Sequence, residues 1–343
     1  MISLLLALPA AVGLWLVTAG RDVSVAVARL VTAVAAVLTL GVAVVVSAAG
    51  ASGDRAWLPD LGVRWSFGVD GIAVPLVLLT AAIGVLVAAH AWVDLPAGGS
   101  PAAFLGCLLL VEAGALATFT ARDAVLFFVA FELVLVPMWV LISRYGDPHD
   151  AGARTEAGYR FVLYTAVGST LMLVGILTLV TSAGTSDLWA LADGAGRALT
   201  PDRQLLVAAL LVAGLAVKVP VFPLHTWLPS AHTTAPTAGS VLLAAVLLKM
   251  GTYGLVRLPV ATVPDGFARL APVLAVLGVV GIIWGGLICL VERDLKRLIA
   301  YSSVAHMGFV VLALAAGSET GLQAALFANI AHGVISALLF FLV

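Results

Sequence analysis

The sequence predicts an all-α fold, a polytopic bundle of transmembrane helices, and three observations carry the prediction. Hydrophobic residues fill 62% of the 343 positions and charged residues only 10%, more apolar surface than one water-soluble core can hide. Apolar runs of about 20 residues recur, the length that crosses about 30 Å of hydrocarbon, and the short segments between them hold most of the charges and prolines. The runs do not alternate apolar and polar as barrel strands do.

Eleven runs read as spans, at roughly 2–20, 25–50, 70–92, 102–119, 122–143, 159–183, 203–222, 237–257, 272–291, 297–316 and 321–343. The first, MISLLLALPAAVGLWLVTAG, lacks a basic leading region and is followed at once by a second apolar run. It reads as a helix rather than a secretory leader. Pro137 marks a kink in the run at 122–143. The run at 203–222 is expected to break, because Pro220 removes a backbone donor and presses on the carbonyl of Ala216, and Pro223 repeats the damage. Backbone groups freed at membrane depth need water or protein partners, and discontinuous helices in transporters serve as ion sites. The break is expected to bring water and dipoles to Lys218.

Several classes are excluded. Cys107 and Cys289 lie inside apolar runs, where a thiol acts as a small hydrophobe, so neither a disulfide framework nor a metal cluster is indicated. A net charge of −1 argues against nucleic acid, and no phosphate loop, paired-cysteine zinc spacing or nucleophile elbow is present.

The chemistry therefore falls to the few charges inside helices. All fourteen arginines lie in connections or at helix ends, whereas of the three lysines only Lys296 does. Lys218 and Lys249 sit within apolar runs. Arginine stays protonated nearly everywhere, but a buried lysine can release and regain a proton. Among eighteen acidic residues only Glu112 and Glu132 occupy the middle of apolar runs, and His306 and His332 are likewise placed. All six are expected near one depth, the bilayer centre. A charge there costs roughly 2.5–3.5 kcal/mol, so two glutamates and two lysines, charged and unpaired, would cost about 10–14 kcal/mol. That rivals the stability of a whole fold, about 5–15 kcal/mol. The groups must be paired, hydrated or neutral, and together they read as a polar axis that hands protons along the midplane.

Each residue also has a plainer reading. Glu132 and Lys218 could form a static ion pair, Lys249 could snorkel, Glu112 could hydrogen-bond a neighbour, and His306 and His332 could be satisfied core histidines. Trp227, with His225 and His232 beside it, reads as an interface anchor.

Three blocks carry a family resemblance: FELVLVPMWVLI at 131–142, KVPVFPLHTWLPSAHTTAPTAGSVLLAAVLLKMGTYGLVR at 218–257, and ERDLKRLIAYSSVAHMGF at 292–309. In order and composition they resemble the antiporter-like subunits of proton-pumping NADH:quinone oxidoreductase, respiratory complex I, subunit M most closely. The resemblance implies that Glu132 is the glutamate of the family's fifth helix, Lys218 the lysine of its broken seventh, and Lys249 that of its eighth. It makes His306 and His332 the axis histidines of helices ten and eleven, and Glu112 a helix-four glutamate of lesser weight. It also implies fourteen helices with two inverted five-helix repeats. Residues 1–100 are then the leading helices, 101–258 the first repeat, and 259–343 the start of a second that stops inside helix eleven, as a fragment would.

The implied activity is proton translocation coupled to quinone reduction elsewhere, with no cofactor or metal in this subunit. The implied partners are antiporter-like membrane subunits on both sides, the lipid bilayer, and protons as the transported ion. Subunits of a multi-subunit Na+/H+ antiporter or a membrane-bound hydrogenase share these residues and remain alternatives. A haem carrier ligated by His306 and His332 and a purely structural subunit are further rivals. The cluster Arg144, Arg154 and Arg160 falls on the same side as Arg293, Lys296 and Arg297. That side is taken as the cytoplasmic face of a bacterial cell membrane, with the amino terminus outside.

Overall fold

The computed structural model describes residues 1–343 except residues 60, 61 and 148. Twelve helices are named here: α1 Ile2–Thr18, α2 Val25–Ala49, α3 Ala73–His90, α4 Pro101–Thr120, α5 Ala124–Tyr145, α6 Ala151–Ala183, α7 Pro201–Lys218, α8 Trp227–Thr234, α9 Thr237–Val260, α10 Pro264–Cys289, α11 Leu295–Ala315 and α12 Glu319–Leu342. Each of the eleven predicted spans meets one of these, and α8 is the short far side of the predicted break. Among the described residues nine helices are long and apolar enough to cross a membrane. The predicted spans outside that count are α1, shorter at 17 residues, and α7, which carries Asp202, Arg203 and Lys218.

Local chemistry sets the helix starts. Ser24, Ser100, Asp123, Asp150, Asp294 and Ser318 each accept a hydrogen bond from the first turn that follows, satisfying donors that a helix leaves orphaned. Pro201 and Pro264 open α7 and α10, where the missing N–H costs nothing. These signals place two starts earlier than hydropathy does: α6 begins at Ala151 rather than 159, and α10 at Pro264 rather than 272. Helical pairing in α5 is interrupted at Val134, just before Pro137, whose ring crowds the preceding turn.

Three helix crossings are glycine against glycine. A β-carbon added at Gly13 of α1 would lie 2.9 Å from the Gly106 carbonyl of α4, and one at Gly106 would lie 2.6 Å from the Gly13 carbonyl. Gly168 and Gly214 repeat this between α6 and α7, and Gly278 and Gly308 between α10 and α11. Without a hydrophobic drive between helices in lipid, such close backbone approach is what holds neighbours together.

One element departs from the all-helical expectation. Ser52–Leu58 (β1) and Val63–Gly68 (β2) form an antiparallel hairpin with Arg55 opposite Trp65. Gly62 turns the chain at φ 67°, a conformation that favours glycine. Asp123, fully buried, ties the hairpin to the bundle. Its carboxylate accepts from the N–H groups of Val125 and Leu126 at the start of α5, from Arg64 N–H of β2, and from the Ser186 hydroxyl.

At one end of the bundle a cavity of about 640 Å3 is bordered by Gly146, Asp147, Ala235, Asp294 and Lys296. The two loops that carry the basic clusters thus meet at the same end, as expected.

Candidate functional site

The break comes directly after Lys218, which ends α7. It is filled by protein rather than left open. The carbonyl of Leu215 keeps the Val219 N–H at 2.9 Å, that of Ala216 takes the Val221 N–H at 2.9 Å, and that of Val217 accepts the indole N–H of Trp227 at 2.9 Å. Trp227 is 1% exposed, so it is no interface anchor; it caps the broken helix from within. His225 and His232 are buried as well. His232 stacks on Phe340, ring centroids 4.5 Å apart.

Lys218 itself is buried, its Nζ 5.1 Å from the ring of Phe131 and 5.5 Å from that of Phe161. The plainer reading, a static ion pair with Glu132, does not hold: among the described residues Lys218 joins no salt bridge and its Nζ has no hydrogen-bond partner. Aromatic faces offer it partial compensation, since a ring quadrupole attracts a cation strongly where water is excluded. Glu132, one position after Phe131, is half-buried and accepts the Ser169 hydroxyl of α6 at 2.5 Å. The carboxylate is therefore held by α6 and makes no contact with the lysine.

Lys249 is completely buried in α9 between two π-turns, Leu243–Leu247 and Val256–Val260, irregularities that recur at functional sites. Its Nζ donates to the Ala244 carbonyl at 2.7 Å and shares a 2.6 Å hydrogen bond with Nδ1 of His332. This rules out snorkelling, and it makes His332 the hydrogen-bond partner of the amine rather than an isolated core histidine. The ring of His306 lies 5.5 Å from that of His332, centroid to centroid, and its Nδ1 meets the Ser302 carbonyl at 2.7 Å. A carbonyl only accepts, so that nitrogen carries hydrogen and leaves Nε2 as the exchangeable position. His306 is exposed on the surface of α11, unlike buried His332. Lysine and histidine are thus bonded across α9 and α12, with the second histidine of α11 beside them but not bonded to either.

Two glycines make room for the amines. A β-carbon at Gly251 would lie 3.1 Å from Cβ of Lys218 and 2.8 Å from a methyl of Val219, and one at Gly333 would lie 3.3 Å from Cε of Lys249. Gly251 seats the end of α7 against α9 two residues past Lys249, which places the two lysines in adjoining compartments.

Glu112 stands apart. It is 1% exposed, neither oxygen has a partner among the described residues, and its carboxyl lies where a β-carbon on Gly84 would be, 2.5 Å from Oε1. The reading in which it hydrogen-bonds a neighbour does not hold in this structure. The structure therefore joins Lys249 and His332 with His306 beside them, leaves Lys218 and Glu132 unbonded to each other, and leaves Glu112 alone.

Sequence reasoning missed several contributors. Ser169 holds Glu132, and Asn329 donates to the Thr252 hydroxyl at 2.5 Å, which in turn donates to the Lys249 carbonyl at 3.0 Å. Asn329 sits three positions before His332, hence on the same helix face; a polar residue at that spacing was the available signal. Among the described residues no cluster of three or more His, Cys, Asp or Glu is arranged to hold a metal.

A discontinuous helix, two buried lysines on adjoining helices and a lysine–histidine chain within a polytopic bundle define the class: a membrane protein that keeps ionisable side chains inside its helical core. Residues 121–343 match the family described as NADH:quinone oxidoreductase/Mrp antiporter, transmembrane, and the chain belongs to that family.

Relatives and solved structures are similar over most of the chain. A Synechococcus elongatus protein, NAD(P)H-quinone oxidoreductase chain 4 1, is 45% identical over 286 residues, covering 83% of this chain and 52% of the relative. The Trichormus variabilis chain 4 3 is 43% identical with the same coverage. The chain spans about half the length of the curated relatives it matches. A chain of respiratory complex I from Thermus thermophilus with bound NADH superposes with a TM-score of 0.87 at 30% identity, over 100% of this chain and 70% of that one. A chain of the Mrp complex from Dietzia sp. superposes at 0.87 with 27% identity, over 99% of this chain and 37% of that one.

Proposed function

We propose that this chain belongs to a proton-translocating membrane subunit of an NADH:quinone oxidoreductase, moving protons through its Glu, Lys and His side chains while quinone is reduced elsewhere in the complex. The observation that carries the reading is the buried Lys249–His332 hydrogen bond with the ring of His306 beside it. Relatives named as chain 4 of such an oxidoreductase support the choice of complex.

In this reading Lys218 is the receiving amine. The field of Glu132 favours its protonated form, and moving that carboxylate away, or bringing a second cation near, drives the proton toward Lys249. Lys249 passes it to His332, and His306 carries it to the surface of α11. Glu112, buried and unpartnered, stands outside the chain. The subunit carries no cofactor and does no redox chemistry of its own. Its partners are antiporter-like membrane subunits on either side, and it sits in a bacterial cell membrane with its amino terminus outside. The scale is feasible, since one charge moved against 100 mV costs about 2.3 kcal/mol.

The test is Lys218→Ala and Lys249→Ala in the assembled complex, reconstituted in vesicles. Each is expected to abolish or greatly reduce proton pumping while the complex still assembles; a normal proton-to-electron ratio with either amine gone overturns the reading. A second reading, a subunit of an Mrp-type Na+/H+ antiporter, rests on the equal TM-score to the Dietzia complex. Mass spectrometry of the native assembly separates the two by the presence or absence of iron–sulfur and flavin subunits.

A further inference from the structure

A second feature is lined by none of the residues of the proton chain. Between α1, α4 and α5 runs an apolar cavity of about 630 Å3. On α1 its lining extends from Ser3 to Leu14, and on α5 from Leu126 to Pro137; at 1.5 Å rise per residue either stretch is about 16 Å long. Small residues, among them Ala10, Ala113 and Ala117, form part of the floor. Leu14, Leu133 and Val136 at the rim are exposed, so the groove opens sideways toward the bilayer.

The groove has one marked end. Trp65 and Phe67 of β2 line it there, edge to face with centroids 5.1 Å apart, and Trp57 of β1 packs on Trp65 at 5.5 Å. Tryptophan clusters of this kind sit at the level of lipid headgroups. Arg55 is the cross-strand partner of Trp65, hence on the same face of the hairpin. It is exposed and, among the described residues, in no ion pair.

We infer that this groove holds one acyl chain of an anionic phospholipid from the leaflet on the hairpin side, with the phosphate on Arg55. Length decides the occupant. A hydrocarbon core is about 30 Å thick, so about 16 Å is one leaflet, and the groove stops where a single lipid tail stops. A neighbour's transmembrane helix would require a track through both leaflets. The rim also matches a lipid in order: cation, then indole rings, then an apolar slot.

The assembled complex in nanodiscs, with phosphatidylglycerol bearing a diazirine near the end of one tail, provides the test. Irradiation is expected to label peptides containing Leu14 and Pro137. Arg55→Gln is expected to lower the yield about fivefold, the effect of one basic residue at an anionic lipid surface, and Ala10→Phe, which fills the slot, to abolish it. Arg55 lies on the exposed hairpin, so its variant carries the test even where the bulkier residue impairs assembly. Equal labelling of wild type and Arg55→Gln overturns the inference. So does a photoreactive residue at position 133 that crosslinks to a neighbouring polypeptide and not to lipid.

Discussion

Lys249 and His332, 83 positions apart in sequence, share a hydrogen bond of 2.6 Å inside the helical core. In the proposed proton path the bond makes the two residues one unit, and a unit broken at either end is equally broken. Lys249→Met, His332→Gln and the double variant are therefore expected to lose pumping to the same extent, a non-additivity of the kind contacting residues show. Proton-to-electron ratios of the three variants in vesicles check this; losses that multiply in the double variant would mean that the residues act on separate paths.

Ser169 fixes the position of the Glu132 carboxylate. Ser169→Ala is expected to slow pumping by about fivefold, the equivalent of about 1 kcal/mol for one lost hydrogen bond, with the complex intact. Restoration by Ser169→Thr distinguishes loss of the hydroxyl from loss of packing. A Ser169→Ala complex that pumps at the wild-type rate would show that the carboxylate needs no such anchor.

Trp227→Phe keeps a buried ring but orphans the carbonyl of Val217. An unpaired buried acceptor costs about 1–3 kcal/mol. Thermal unfolding of the complex is expected to move down, and hydrogen exchange at Val219 and Val221 to rise; an unchanged exchange pattern would count against the indole as the cap of the break.

Asp70, ahead of α3, pairs with Arg257 and accepts the N–H groups of Ile72 and Ala73. Burial works against its ionisation, but the Arg257 hydrogen bond and charge together with the two backbone donors outweigh it and hold the carboxyl below its ordinary value. Its folded-state pKa is depressed. The stabilisation it provides is therefore complete above the unfolded value of about 3.9 and is lost only as pH falls through the lower folded one. Asp70→Asn is expected to be less stable than wild type by a constant amount, about 1–3 kcal/mol, between pH 5 and 8. The gap should close only below about pH 4. Denaturation midpoints across that range check it; a gap that narrows already at pH 6 would mean that another group governs.

The spans and the break were legible because apolar run length and proline are local signals. Lys218, Lys249, Glu132 and His332 stood out for a similar reason: a charge or imidazole amid leucine and valine has to be accommodated. What could not be read was the partner of each. A static pair of Lys218 with Glu132 is the simplest electrostatic reading, but two phenylalanine faces take the amine and a serine takes the carboxylate, and both outcomes depend on how α5 and α6 are rotated toward one another and toward α7. Trp227 misled because an aromatic beside prolines looks interfacial, whereas here its N–H answers a carbonyl freed ten residues earlier. The hairpin escaped notice because strands of seven and six residues are overshadowed by the apolar runs on either side.

The glycine crossings divide the bundle into tight couples: α1 with α4, α6 with α7, α10 with α11. Backbones in van der Waals contact leave little freedom to slide or roll, so each couple behaves as a stiff plank. Glu132, Lys249 and His332 ride on α5, α9 and α12, which belong to no couple, while Lys218 sits at the tip of a plank. Whatever small displacement separates or rejoins these four groups has to be taken up outside those three couples.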